Sequence, residues 1–279
     1  MVTNLTSRAT VDAAPAASAA ALHAGVTGSG PPVVLLHGLF GMGSNLGAVA
    51  RHLASSHEVH QLDLPNHGRS AWTDATGIPA LAEAVAVYVE GACGEPAAVL
   101  GHSLGGKVAM ELAMSRPELV SAVVVADIAP VSYSPSHGAV FAAIDAVAQA
   151  RPATRSEAAV VLRRHLEEEN VVQFLLLSLQ RRDDVYVWRF NANALGAGYG
   201  ALLSAPSTGR YAGPVLLVYG EQSGYVDEEG LAAARLRFSD LSIASIAGTG
   251  HWLHVERADE FNRLVGDFLR PRAGVGLST

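Results

Sequence analysis

Gly101-His102-Ser103-Leu104-Gly105 sets a serine between two glycines, the G-x-S-x-G spacing that can present a hydroxyl for nucleophilic attack on an acyl carbonyl. A second glycine-rich turn, His37-Gly38-Leu39-Phe40-Gly41 with Gly43 after it, can aim backbone N–H groups at the oxyanion such an attack creates. The amides of Leu39 and Leu104 are the candidate donors, with Phe40 in the role if the register differs by one. The serine also needs a base. Position selects His251, in Gly250-His251-Trp252, from eleven histidines, and His254 is its rival. A His251/His254 metal pair lacks a third ligand at convincing spacing. His37 and His67 sit in glycine turns and read as structural.

These residues can act together only if the chain positions them. Short β-branched runs at Val33–His37, Val59–Leu62, Ala97–Leu100, Ala122–Ala126, Val215–Tyr219 and Leu241–Ile246 predict buried strands. Helical stretches fall between most of them, at Asn45–Ala54, Ile78–Glu90, Leu104–Ser115, Glu228–Phe238 and Ala258–Leu269. Alternation of this kind predicts an α/β fold, with a mostly parallel central sheet and helices on both faces. Ligands then bind at the carboxyl ends of the strands. The serine motif follows a predicted strand and opens a predicted helix, the context a strained nucleophile turn requires. His251 follows the last strand and precedes the last helix.

The rhythm breaks once. Nearly ninety residues without a clear strand separate Ala126 from Val215. Ala139–Ala150, Ser156–Glu169 and Val171–Leu179 have helical periodicity, and Pro130, Pro135, Pro206 and Pro214 flank them. A structureless loop that long is improbable, so residues 131–207 are expected to form an inserted helical cap over a core of 22–130 and 208–272. Residues 1–21 and 273–279 read as mobile tails.

Composition narrows the function. The 279-residue chain has a net charge of −7 and no Lys/Arg block, which disfavours nucleic acid and anionic membrane surfaces. It has no apolar run of transmembrane length. Cys93 is the only cysteine, which precludes an intrachain disulfide and reads as a small buried hydrophobe. The cytoplasm is the default expectation.

The acid that would orient His251 is less clear from the residues. The usual loop, Gly220-Glu221-Gln222-Ser223-Gly224-Tyr225-Val226-Asp227, carries a serine early and Asp227 late. Asp127, closing the strand Ala122–Ala126, is the alternative, and Asp63 at an earlier strand end reads as structural. Phe40, His102, Phe174, Trp188, Phe190 and Trp252 are candidates to line the substrate pocket, although the aromatic residues fit plain core equally well.

From His37 to about Phe268 the chain resembles one esterase branch of the α/β-hydrolase superfamily, that of bacterial YbfF and the mitochondrial abhydrolase-domain protein eleven. The resemblance is carried by HGLFG with Asn45-Leu46-Gly47, then DLPNHGRS, GHSLGGKVAM, DIAPVSY, QFLL, WRFN, GEQSGYV and GHWLH. DIAP and WRFN are not general hydrolase features. The resemblance implies the α/β-hydrolase fold and cleavage of small-molecule acyl esters or acyl thioesters without metal or organic cofactor. It also implies Ser103, His251 and Asp127 as the triad, with Ser223 as a fourth hydrogen-bonding member. Pro65 stands where arginine is commoner, and Gly224 where an acidic residue often stands, which bears on substrate choice. A C–C hydrolase, a lyase, a cofactor-free perhydrolase and a non-catalytic binder are the competing readings. A pure binder has no need of the serine, histidine and glycine turns together.

Overall fold

A computed structural model describes residues 22–270. The tails expected at 1–21 and 273–279 lie outside the described residues, as do positions 271 and 272 of the expected core.

The strands are β1 (Ala24–Gly28), β2 (Pro32–Leu36), β3 (Glu58–Leu62), β4 (Ala97–His102), β5 (Val120–Ala126), β6 (Leu179–Arg182), β7 (Val185–Trp188), β8 (Tyr211–Gly220) and β9 (Phe238–Ile246). The helices are α1 (Gly47–Leu53), α2 (Ile78–Ala92), α3 (Leu104–Ser115), α4 (Gly138–Ala150), α5 (Arg155–Leu162), α6 (Glu169–Leu177), α7 (Ala192–Ala197), α8 (Tyr199–Leu203), α9 (Glu228–Arg237), α10 (Leu253–Glu256) and α11 (Ala258–Leu269). Seven strands form one sheet in the order β1-β3-β2-β4-β5-β8-β9. All neighbours run parallel except β1, which is antiparallel to β3.

The apolar runs that predict strands are buried on both faces, as parallel strands under two helical layers must be. Val34, Leu36, Val99, Val125 and Leu217 pack on one face with α2 and α3. Their neighbours Val33, Leu35, Leu100, Val124 and Leu216 pack on the other with Val49 and Leu53 of α1 and Phe261 and Val265 of α11. The alternation is the period of two inherent in a strand.

Between β5 and β8 lie α4 to α8 and the β6–β7 hairpin. The segment is tied to α3 at its return leg. Lys107 Nζ donates to the carbonyls of Leu203 and Ser204 at 2.7 and 2.8 Å, and Ser207 N donates to Glu111 Oε2 at 2.6 Å. Burial pulls the Lys107 ammonium down to about 8. Ser178 Oγ donates to the Phe40 carbonyl, joining the segment to the turn after β2.

Three local expectations are corrected. β1 begins at Ala24 and was not foreseen, because AGVTG is short, glycine-flanked and largely exposed, as an edge strand can be. The helix expected at Ser156–Glu169 ends at Leu162, and α6 starts only at Glu169. The hairpin was missed because three of the four residues of LQRR are polar and the run is too short to show alternation; it exists through pairing with Val185–Trp188 across a turn with Asp183 at φ 54°.

Phe261 is fully buried between the sheet and α1. Phe261→Ala should lower the unfolding free energy by about 3–5 kcal/mol, read from urea denaturation. A loss below about 1 kcal/mol would contradict this packing.

Candidate active site

Ser103 stands at the turn from β4 into α3 with φ 54° and ψ −118°, a backbone conformation that L-residues rarely hold. Neighbours enforce it. A Cβ on Gly101 would collide with the carbonyl of Gly105, and one on Gly105 with the carbonyl of Leu36. Glycine at these two positions lets the turn close, and Ser103 N donates to Ala126 O at 2.9 Å on the adjacent strand.

The Leu104 amide opens α3, where a first-turn N–H has no partner within its own helix and the helix dipole is positive. Across the site, the amides of Leu39 and Phe40 in the turn after β2 differ in their partners. Phe40, at φ 64°, donates its N–H to His67 Nε2 at 3.2 Å, while no acceptor holds the Leu39 amide among the described residues. Leu39 and Phe40 both border the cavity that contains Ser103.

Asp127 follows β5 directly, at φ 53° and completely buried. Its Oδ1 accepts from Gly220 N at 2.9 Å. Its Oδ2 accepts from His251 Nδ1 at 2.7 Å and from the Ser223 hydroxyl. Asp227 lies elsewhere: it caps α9, accepting from Gly230 N at 2.8 Å. Asp63 accepts from the backbone amides of Gly43 and Arg69. Among the acidic candidates, only Asp127 meets the His251 ring.

The His251 ring is 19% exposed and stacks on Tyr225, with centroids 4.2 Å apart at 28°. The His251 carbonyl accepts a hydrogen bond from His102 Nε2 at 2.8 Å, tying the loop after β9 to the turn that carries Ser103. The Tyr225 carbonyl in turn accepts from the Tyr133 hydroxyl at 2.6 Å. Sequence reasoning missed Tyr225 and Tyr133; both lie within motifs that carry the resemblance, GEQSGYV and DIAPVSY, but tyrosine type alone does not announce a supporting role. Ser103 and His251 face one cavity of about 320 Å³. No hydrogen bond joins their side chains among the described residues, a contact that is often long without substrate.

That cavity is closed by His137, Val140, Glu168, Val171, Phe174 and Leu175 from the β5–β8 segment. Phe174 packs on Trp252 at 5.9 Å, and both also border an adjoining cavity of about 520 Å³, as do Gly38 and His102. Phe40, His102, Phe174 and Trp252 therefore sit where the sequence expects pocket residues. Trp188 and Phe190 do not. They stack on each other at 5.0 Å, Trp188 Nε1 donates to Ile144 O, and Phe190 packs behind Phe40, because both side chains face the core of the β5–β8 segment.

Four neighbouring histidines are buried. His37 Nε2 accepts from Leu64 N and His67 Nε2 from Phe40 N, while each Nδ1–H donates to a backbone carbonyl, so both rings are neutral. Burial holds His37 and His254 down to about 4 and His67 to about 3, and pushes His102 well below the usual range. Among the described residues, no group of three or more His, Cys, Asp or Glu side chains is arranged to hold a metal ion. Cys93 is half-buried rather than fully buried, and burial raises its thiol to about 11, so little thiolate forms at neutral pH.

Residues 31–258 match the family model described as alpha/beta hydrolase fold. The chain belongs to this family. It is 36% identical over 239 residues to "Esterase YbfF" of Escherichia coli, covering 85% of this chain and 92% of that one. It is 32% identical to the "sn-1-specific diacylglycerol lipase ABHD11" of Mus musculus, covering 86% of this chain and 81% of that one. A solved "Marine microorganism esterase" superposes with a TM-score of 0.86 at 30% identity, over 89% of this chain and 99% of that one. The resemblance to the YbfF branch holds, and the protein is a hydrolase of the esterase/lipase type. No described helix of this hydrolase is long and apolar enough to cross a membrane.

The buried neutral histidines set an acid limit on stability. Between about pH 4 and 6.5 the unfolded chain takes up protons that the folded hydrolase refuses, so stability is full above 6.5 and falls with the pH. His254→Gln removes one such site. The fall in urea midpoint from pH 6.5 to 4.5 should be shallower in this variant than in the parent protein. Identical slopes would show that His254 is protonated in the fold.

Proposed function

We propose that this hydrolase cleaves acyl esters, and acyl thioesters of similar shape, through a covalent acyl-enzyme on Ser103. His251 Nε2 takes the Ser103 proton as Oγ adds to the acyl carbonyl carbon. The amides of Leu39 and Leu104 hold the resulting oxyanion. As the tetrahedral intermediate collapses, His251 gives its proton to the leaving alcohol or thiol. Water then repeats the addition, losing a proton to His251, and Ser103 recovers its hydrogen as the carboxylic acid leaves. Asp127 holds His251 in the tautomer with Nδ1 protonated, and Ser223 supports that carboxylate. Residues 131–207 act as a cap whose helices close the pocket.

The observation that carries this reading is the 2.7 Å contact from His251 Nδ1 to the buried Asp127 carboxylate, with His251 and Ser103 on one cavity. A side chain that only packed would not need a buried charge to orient it. The free Leu39 and Leu104 amides add the electrostatic component.

Initial rates on p-nitrophenyl esters from acetate to palmitate test the reading. Ser103→Ala should lower kcat by about 10⁶-fold with the fold intact by circular dichroism, and Asp127→Asn by about 10⁴-fold. Asp227→Asn should retain near-parental turnover and stability, because asparagine caps a helix N-terminus about as well as aspartate. A fully active Ser103→Ala protein would sink the mechanism, and a reversal of the two aspartate effects would sink the assignment of the acid.

A further inference from the structure

We infer that a polar cavity lined by Arg69 and Arg189 binds an anionic group, a carboxylate or a phosphate, carried at the far end of the ester substrate. The cavity is about 170 Å³ and is bordered by His23, Gln61, Asp63 and Ser44 as well as the two arginines. Arg69 and Arg189 come from DLPNHGRS and WRFN, which lie far apart in the chain and which the proposed chemistry leaves unused.

The charges of these arginines are not consumed within the fold. Neither forms an ion pair within 4 Å among the described residues. Arg189 Nε is buried without a hydrogen-bond partner, a state that native structures rarely leave unexplained. Asp63 is the one carboxylate at the cavity. Its two oxygens accept from the backbone amides of Gly43 and Arg69, so it offsets one positive charge without taking up a guanidinium fork. One net positive charge and a set of unused planar donors remain. That combination suits the paired oxygens of a carboxylate or phosphate.

Position links the cavity to the reaction. It shares Met42 and Ser44 with the 520 Å³ cavity, which shares Gly38, His102, Phe174 and Trp252 with the cavity holding Ser103. Between the two polar ends the 520 Å³ cavity is mostly apolar, with Leu46, Phe174, Leu177 and Val255, and Asn45, Asn170, Gln173 and Glu256 also border it. The neighbouring surfaces are therefore the Ser103 cavity, a mostly apolar cavity and a basic pocket. An ester whose aliphatic arm ends in an anion matches all three.

The turnover of such an ester rests on the proposed Ser103 mechanism, whereas binding of the anion does not, so two readouts separate them. The first compares kcat/KM for the mono-p-nitrophenyl ester of sebacic acid with that for p-nitrophenyl decanoate, matched in length and differing in the terminal carboxylate. The second is calorimetric binding of octyl phosphate. Arg69→Gln, at an exposed position, and Arg189→Lys, which keeps the charge but loses the fork, are the variants. Each should lower the sebacate-to-decanoate ratio about tenfold or weaken octyl phosphate about tenfold. A response of the first alone identifies a carboxylate, and of the second alone a phosphate. If neither ratio nor affinity moves in either variant, the site is overturned. If the parental protein hydrolyses no ester yet binds octyl phosphate in an arginine-dependent way, the esterase reading falls and the anion site stands.

Discussion

A carboxylate with no exposure to water must have its charge met by hydrogen bonds, or it will take up a proton or destabilise the fold. Asp127 is in that position, and the ways its oxygens are met determine much of the architecture around the site. The Gly220 amide at the end of β8, the Ser223 hydroxyl in the following turn and the His251 ring after β9 all converge on it. Segments up to 124 residues from Asp127 along the chain are thereby held together at the carboxyl ends of β5, β8 and β9. Moving any of them would leave a buried charge short of donors.

Crowding supplies the second constraint. The Ser103 turn lies so close to α3 and to the end of β2 that two glycines are needed for it to close. Positive φ at Phe40, Ser103 and Asp127 gathers backbone strain at the ends of three neighbouring strands. Parallel packing of β2, β4 and β5, buried on both faces, over-determines these conformations, which a marginal scaffold would relax.

The polar residues around the site divide by what they hold. His37 and His67 are neutral struts that occupy backbone amides, and His102 links the loop after β9 to the turn that carries Ser103. Tyr225 supports the face of His251 and is itself held by Tyr133. Because the struts are neutral, they add no competing charge beside the carboxylate. The arginines of the outer polar cavity stand apart from this network, and among the described residues neither forms an ion pair.

The chain by itself determined the fold class and the tight strand-to-helix turn at Ser103, since each is written locally. Period-two apolar runs mark buried strands, and G-x-S-x-G at a strand-to-helix junction can close only as a tight turn. Even Asp127 was open from the residues alone; the resemblance favoured it, and the geometry is what separates it from Asp227. Only the tertiary structure decided that Asp227 caps α9, that Phe40 N is taken by His67, and that Trp188 and Phe190 turn away from the cavity. The edge strand β1 and the β6–β7 hairpin were equally invisible, because short exposed strands take their conformation from their partners. The reason is common to all of these. Local patterns record how a segment can fold, whereas a hydrogen-bond partner or a cavity wall depends on which distant segment arrives beside it.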